Sequence, residues 1–173
     1  MRNGQGDDYF ALFNIHGCFF KGFAHKAPMT SFRSDPNRPW PGVFETVPNE
    51  FATCLHEPAF SIADTTFCIW RRYNEASWQR GVIEFPPERD PDGSEFLLAA
   101  LDGNPGTYRD WAVDYFDKPF LTVEMVRHIY EQRPLTNDFV AAITQDLALG
   151  AEESQHLEVA DLDEDISEIG YPM

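Results

Sequence analysis

After Arg133 the chain contains no lysine and no arginine, while residues 134–173 hold 10 acids. The 19 remaining acids stand against all 13 bases in residues 1–133, and the formal net charge is -16. A surface so poor in cations repels a phosphate backbone, so nucleic acid is not an expected partner. Cysteine is scarce as well: three residues, an odd number, with no paired spacing. That excludes a disulfide framework and points to a reducing, cytoplasmic setting. Long apolar runs are missing. The longest, "YFALFNIHGCFF", is broken by Asn14, His16 and Gly17 and falls short of the roughly 20 residues that span a bilayer, so no membrane contact is expected. The start, "MRNGQGDDYF", has no basic-then-apolar signal pattern. No glycine-rich phosphate cradle precedes a helix, and "DLDEDISE" lacks the glycine and terminal glutamate of a calcium loop. No cofactor is expected.

What the chain does have is rings. With 14% aromatic and 43% hydrophobic residues, including 15 Phe, it can bury enough surface to offset the entropy of ordering. Its 173 residues suit one domain with a sizeable core. Residues 1–8 read as a frayed tail. Residues 9–23 read as a Phe-rich strand bent or bulged at Gly17. Residues 24–47 show no clean period, hold four prolines and read as a long Pro-rich loop, of a length often functional when ordered.

"VPNEFATCLHEP" reads as a short helix capped by Asn49, with Val47, Phe51, Cys54 and Leu55 on one face. Alternation around Phe67–Tyr73 and Trp78–Phe85 reads as a hairpin near 65–85. From there the pattern is helical, over about 94–169. Ser94, Thr107, Thr122 and Thr136 stand as candidate N-caps, Thr107 in a near capping box with Asp110. Tyr108, Trp111, Ala112 and Tyr115 share a face, and the segment from Thr136 extends to Leu149 before Gly150. His128 reads as a surface partner of Glu124 one turn away. The last segment sets Leu162, Ile166 and Ile169 on one stripe. The order predicts a single α+β domain: a small antiparallel sheet in the N-terminal half, packed with a helical C-terminal half.

The chemistry is sparse. His16 and Cys18 would share a strand face, the weak beginning of a metal site. Cys54 and His56 cannot complete it from a helix, where i and i+2 point apart by about 200°. Neither stretch has the spacing of a structural zinc motif, so no metal is expected. Cys18, set among Phe residues, is a weak candidate nucleophile, since burial in apolar surroundings makes a thiol inert. The 24–47 loop collects His25, Lys26, Arg33, Asp35 and Arg38. Its arginines suit a carboxylate or phosphate, and His25 and Asp35 are its weak catalytic candidates. Trp70, Arg72 and Trp78 near the hairpin tip are residue types enriched in binding hot spots. Asp161, Glu164 and Asp165 lead an acidic C-terminal surface whose natural complement is a basic protein.

The expected function is therefore a cytoplasmic, non-catalytic interaction module using an acidic surface, immunity-like or antitoxin-like against a basic partner. The competing expectation is a small enzyme or an anion-binding protein with its site on the 24–47 loop. A third is a homodimer or larger homo-oligomer in which the early cations meet the late acids between subunits.

Overall fold

A computed structural model describes residues 1–144 and 159–172. The chain divides into two compact units, Met1–Ala99 and Ala100–Met173. The expected α+β layout is present, with strands in the first and helices in the second.

The first unit is built on a four-stranded antiparallel meander. Its strands are β1 (Asp8–Asn14), β2 (Gly17–Phe23), β3 (Phe67–Arg72) and the two-residue β4 (Gln79–Arg80). The single bent strand expected over 9–23 is a hairpin instead. Asn14 pairs with Gly17 across a turn of Ile15 and His16. The Asn14 carboxamide oxygen accepts the amide N–H of His16 at 2.8 Å and of Gly17 at 3.2 Å, an Asx turn that closes the loop locally. Gly17 is required there: a Cβ would meet the Arg71 carbonyl oxygen at 2.1 Å, where β3 crosses. The hairpin expected near 65–85 is β3–β4, but pairing ends after Ile69 with Arg80 and Trp70 with Gln79.

Alternation sorts the sheet into two faces. Leu12, Phe19, Cys68 and Trp70 line one, and the core forms there with Met29, Val43, Phe51 and Cys54. Each large apolar side chain buried in it contributes about 1.5–3 kcal/mol. On the other face Phe67 lies across Gly22, where a Cβ would meet the ring at 2.1 Å, and packs with Ala24, Ala27 and Leu97.

The Pro-rich 24–47 segment covers the core. It supplies buried Met29 and Val43, with Trp40, Phe44 and Val47 packed beside them. Its turn at Gly42 docks on the run after β4. A Cβ on Gly42 would sit 1.9 Å from the Val82 oxygen, and one on Gly81 would sit 1.9 Å from the Gly42 oxygen. The Trp40 indole N–H donates to the Glu84 carbonyl at 3.0 Å. Residues 49–56 form a 3-10 helix preceded by Pro48, with no side-chain cap from Asn49. Residues 1–8, expected to fray, have partners: the Tyr9 amide donates to the Met1 carbonyl at 3.1 Å, and that of Asn3 to Asp7 at 3.2 Å. A single helical turn, α1 (Ser94–Leu97), ends the sheet unit. Gly93 stands at its N-cap, and the Asp90 carboxylate, not Ser94, accepts the first-turn amides of Glu95 and Phe96 at 3.0 Å.

The second unit contains α2 (Pro105–Phe116), α3 (Val123–Tyr130), α4 (Asn137–Ile143) and α5 (Asp163–Ile169). Thr122 and Thr136 cap α3 and α4 as expected, accepting the amides of Met125 and Phe139 at 3.2 Å. Helix α2 starts earlier than the Thr107 box implies. Asn104 accepts the Gly106 amide at 2.9 Å and Pro105 takes the first position, while the Thr107 hydroxyl donates to Asp102 at 2.8 Å. The expected continuation of α4 to Leu149 lies outside the described residues. Ala112, Val126, Val140 and Ile166 are buried in this unit. Of the terminal stripe, Ile169 is exposed.

Candidate functional site

Most candidates drawn from the sequence are dispersed or engaged in structure. His16 is exposed in the β1–β2 turn. Cys18 is half-buried, its S–H directed at the Arg71 carbonyl at 3.8 Å. Cys54 and Cys68 are buried in the core, and burial pushes both thiols up, Cys68 furthest. His56 turns away from Cys54 and donates its Nδ1–H to the Ala52 carbonyl at 3.0 Å. Among the described residues no group of three or more His, Cys, Asp or Glu side chains is placed to hold a metal ion.

Arg33, Asp35 and Arg38 are exposed, and none of them lines the cleft that holds His25. The polar site expected on the 24–47 loop is therefore not assembled, because that loop turns its apolar residues inward and its charges to solvent. His25 alone is engaged: its ring lies 2.7 Å from Asp7 Oδ1. Trp70 is 3% exposed in the core, so it is unavailable as a docking residue. Arg72 is taken by Glu50 at 2.7 Å and Glu75 at 3.2 Å. The Arg72 pair holds the Glu50 carboxyl below the usual carboxylate range. Trp78 is 43% exposed, its ring edge-on to Phe20. The hot spot expected at the hairpin tip thus separates: Trp70 is covered by the core, Arg72 is held by ion pairs at the end of β3, and Trp78 packs on Phe20 of the opposite sheet face. Glu164 is exposed, and the side chains of Asp161 and Asp165 lie outside the described residues.

His128 is not paired with Glu124. Its Nε2–H donates to the Pro134 carbonyl at 3.0 Å, and its ring stacks on Phe139 at 4.0 Å. Glu124 is taken by Arg127 and by Arg133 at 2.8 Å.

The surface with the most concentrated recognition chemistry is on α2. The stripe expected on one helix face is largely uncovered, with Trp111 at 37% and Tyr115 at 50%, while only Ala112 is buried. The rings form a contiguous cluster. Trp111 stacks on Tyr115 at 5.1 Å, Tyr108 meets Trp111 at 5.4 Å, and Tyr130 of α3 reaches Tyr108 at 6.1 Å. Phe116 stands edge-on to Tyr115 at 4.9 Å. Burial raises the Tyr130 hydroxyl pKa, with Tyr108 and Asp102 nearby adding to it. Asp114 lies about 60° and Asp110 about 100° round the helix from Trp111, at about 100° per residue, and Asp110 is paired with Arg109 at 2.9 Å. Asp114 and Asp117 are exposed and form no ion pair among the described residues. Residues 100–173 carry 16 acids against 4 bases, which is -12 of the net -16.

The fold defines an α+β protein whose helical unit presents an aromatic cluster beside unneutralised carboxylates. No protein family, no characterised protein and no solved structure matches the chain.

Proposed function

We propose that this protein is a non-catalytic interaction module that docks a basic polypeptide segment on its helical unit. The supporting observation is the ring cluster of half-buried Tyr108 and exposed Trp111, Tyr115 and Tyr130, with the exposed carboxylate of Asp114 beside it on α2. Aromatic faces attract guanidinium and ammonium groups, and indole does so best. Carboxylates alongside select cations over neutral chains and reject acidic ones. Rigid rings also cost little conformational entropy on binding. An immunity-like or antitoxin-like protein facing a basic toxin is one form this role would take. The competing polar loop site has lost its arginines to solvent.

The test is calorimetric titration with an octa-arginine peptide, with octa-glutamate as control. Saturable binding of the first only, weakened about threefold to thirtyfold by Trp111→Ala, is expected from one cation–π contact. Equal binding by wild type and Trp111→Ala, or no binding of octa-arginine, overturns the reading. Far-UV circular dichroism confirms that the variant is folded.

A further inference from the structure

A second site lies in the sheet unit, where the end of β2 meets the N-terminal turn. Asp7 is saturated by its neighbours. Its Oδ1 accepts the His25 amide at 3.0 Å and the His25 Nδ1–H at 2.7 Å, and its Oδ2 accepts the Asn3 carboxamide at 2.7 Å. The Asn3 oxygen in turn accepts the amides of Gln5 at 2.8 Å and Asp7 at 3.2 Å, fixing the turn that carries the carboxylate. An ionised carboxylate on Nδ1 dictates the ring's tautomer and orientation. It leaves Nε2 as the ring's remaining polar atom, and that atom has no protein partner among the described residues.

The ring borders a cleft of about 330 Å³, a size at the small end of the range for ligand pockets. The wall is apolar, from Ala24, Ala27, Pro28 and Phe96, and Lys26 supplies a cation. Two of the lining residues are tightly packed: a Cβ on Gly93 would meet the Ala24 Cβ at 2.2 Å. Phe96 is 68% exposed, a ring beside the cleft with much of its surface uncovered. The lining acids are already occupied, Asp7 by His25 and Asp90 by the Glu95 and Phe96 amides.

We propose that this cleft binds a small organic acid with an apolar body, its carboxylate held by Lys26 and by the Nε2–H of His25 in its imidazolium form, with its body against Phe96 and the aliphatic wall. Asp7 is the positioning residue, aiming the imidazole and balancing its charge. This site is independent of the basic-peptide surface on α2 and stands or falls without it.

The test is an NMR titration of the full chain with benzoate, alongside benzyl alcohol (the body without the charge) and inorganic phosphate (the charge without the body). Benzoate is expected to give saturable shifts at the His25 ring and the Phe96 amide. Loss of its charge as benzyl alcohol, or Lys26→Gln, is expected to weaken it about fivefold or more, as removal of a charged hydrogen-bond partner does. Lys26 is exposed, so that variant keeps the fold. His25→Gln is expected to abolish saturation. No saturable shift at His25, or benzoate binding unchanged by both variants, overturns the proposal. Phosphate binding as tightly as benzoate overturns the assignment to an organic acid.

Discussion

Lys21, on the inner strand β2, is completely buried, with its Nζ 3.4 Å from Oδ1 of Asp8 and 5.5 Å from the centre of the Phe10 ring. Burial lowers the Lys21 pKa, and the attraction of Asp8 offsets only part of that. A buried ion pair of this kind adds little net stability, yet stranding one member is costly. Asp8 is partly exposed and keeps water as a partner when the lysine is removed, so Lys21→Met is expected to be neutral or stabilising in urea denaturation. Asp8→Ala, which strands the ammonium, is expected to cost about 3 kcal/mol. The folded chain releases the Lys21 proton more readily than the unfolded one. Stability from this residue therefore rises with pH, from the lowered folded pKa up to about 10.4, and Lys21→Met should remove that rise. An Asp8→Ala protein as stable as wild type contradicts the account.

Asp7 is the opposite case. Burial pushes its carboxyl up, but the bonds from the His25 ring, Asn3 and the His25 amide outweigh this and hold it below the usual range. The stability it contributes is present above about pH 4 and is lost as pH falls through the lowered folded value. Thermal melts of wild type and Asp7→Asn should differ at neutral pH and converge in strong acid. A difference that persists unchanged there would show that the carboxylate's charge is irrelevant.

The contact between Gly42 and Gly81 closes the core cover onto the run after β4. Backbone oxygens on both sides leave no flexible atom to yield. Gly81→Ala is expected to cost about 3 kcal/mol, at the upper end of overpacking, and to loosen Val43. Hydrogen exchange at Val43 checks this: protection equal to wild type would mean that the turn docks without that contact.

Thiol chemistry should follow burial. In the native state Cys18 is expected to be the reactive cysteine, with Cys54 and Cys68 labelling only after denaturation. Mass spectrometry of protein labelled with iodoacetamide decides it, and rapid native labelling of Cys68 would contradict its place in the core.

Arg72 should not be a docking residue. Its ion pairs with Glu50 and Glu75 occupy the guanidinium and are partly exposed, so solvent screens them. Arg72→Met is expected to leave octa-arginine binding unchanged, while Tyr115→Ala weakens it. A reversed ranking would move the binding surface from α2 to the β3–β4 loop.

How far these features were legible follows the range of the interactions behind them. Thr122 and Thr136 cap their helices through bonds that span three residues, so local pattern reading finds them. The Asn14–Gly17 turn is equally local but was masked by its centre, since Ile15 and His16 are not the residues that announce a two-residue turn. Trp70 and Trp78 look alike in sequence and differ in place, because which sheet face is covered depends on residues 29–55. The Asp7–His25 pair spans 18 residues and forms only when the N-terminal turn lies on the end of β2.

By itself the sequence determined the class: rings enough for a core, strands before helices, and an acidic end without cations. Those depend on composition and short-range periodicity. The tertiary structure alone decided that the Pro-rich segment covers the core, that Lys21 lies inside, and that the Trp111 stripe faces outward. Each of those depends on which distant segment lies over a given side chain, and no local pattern encodes that.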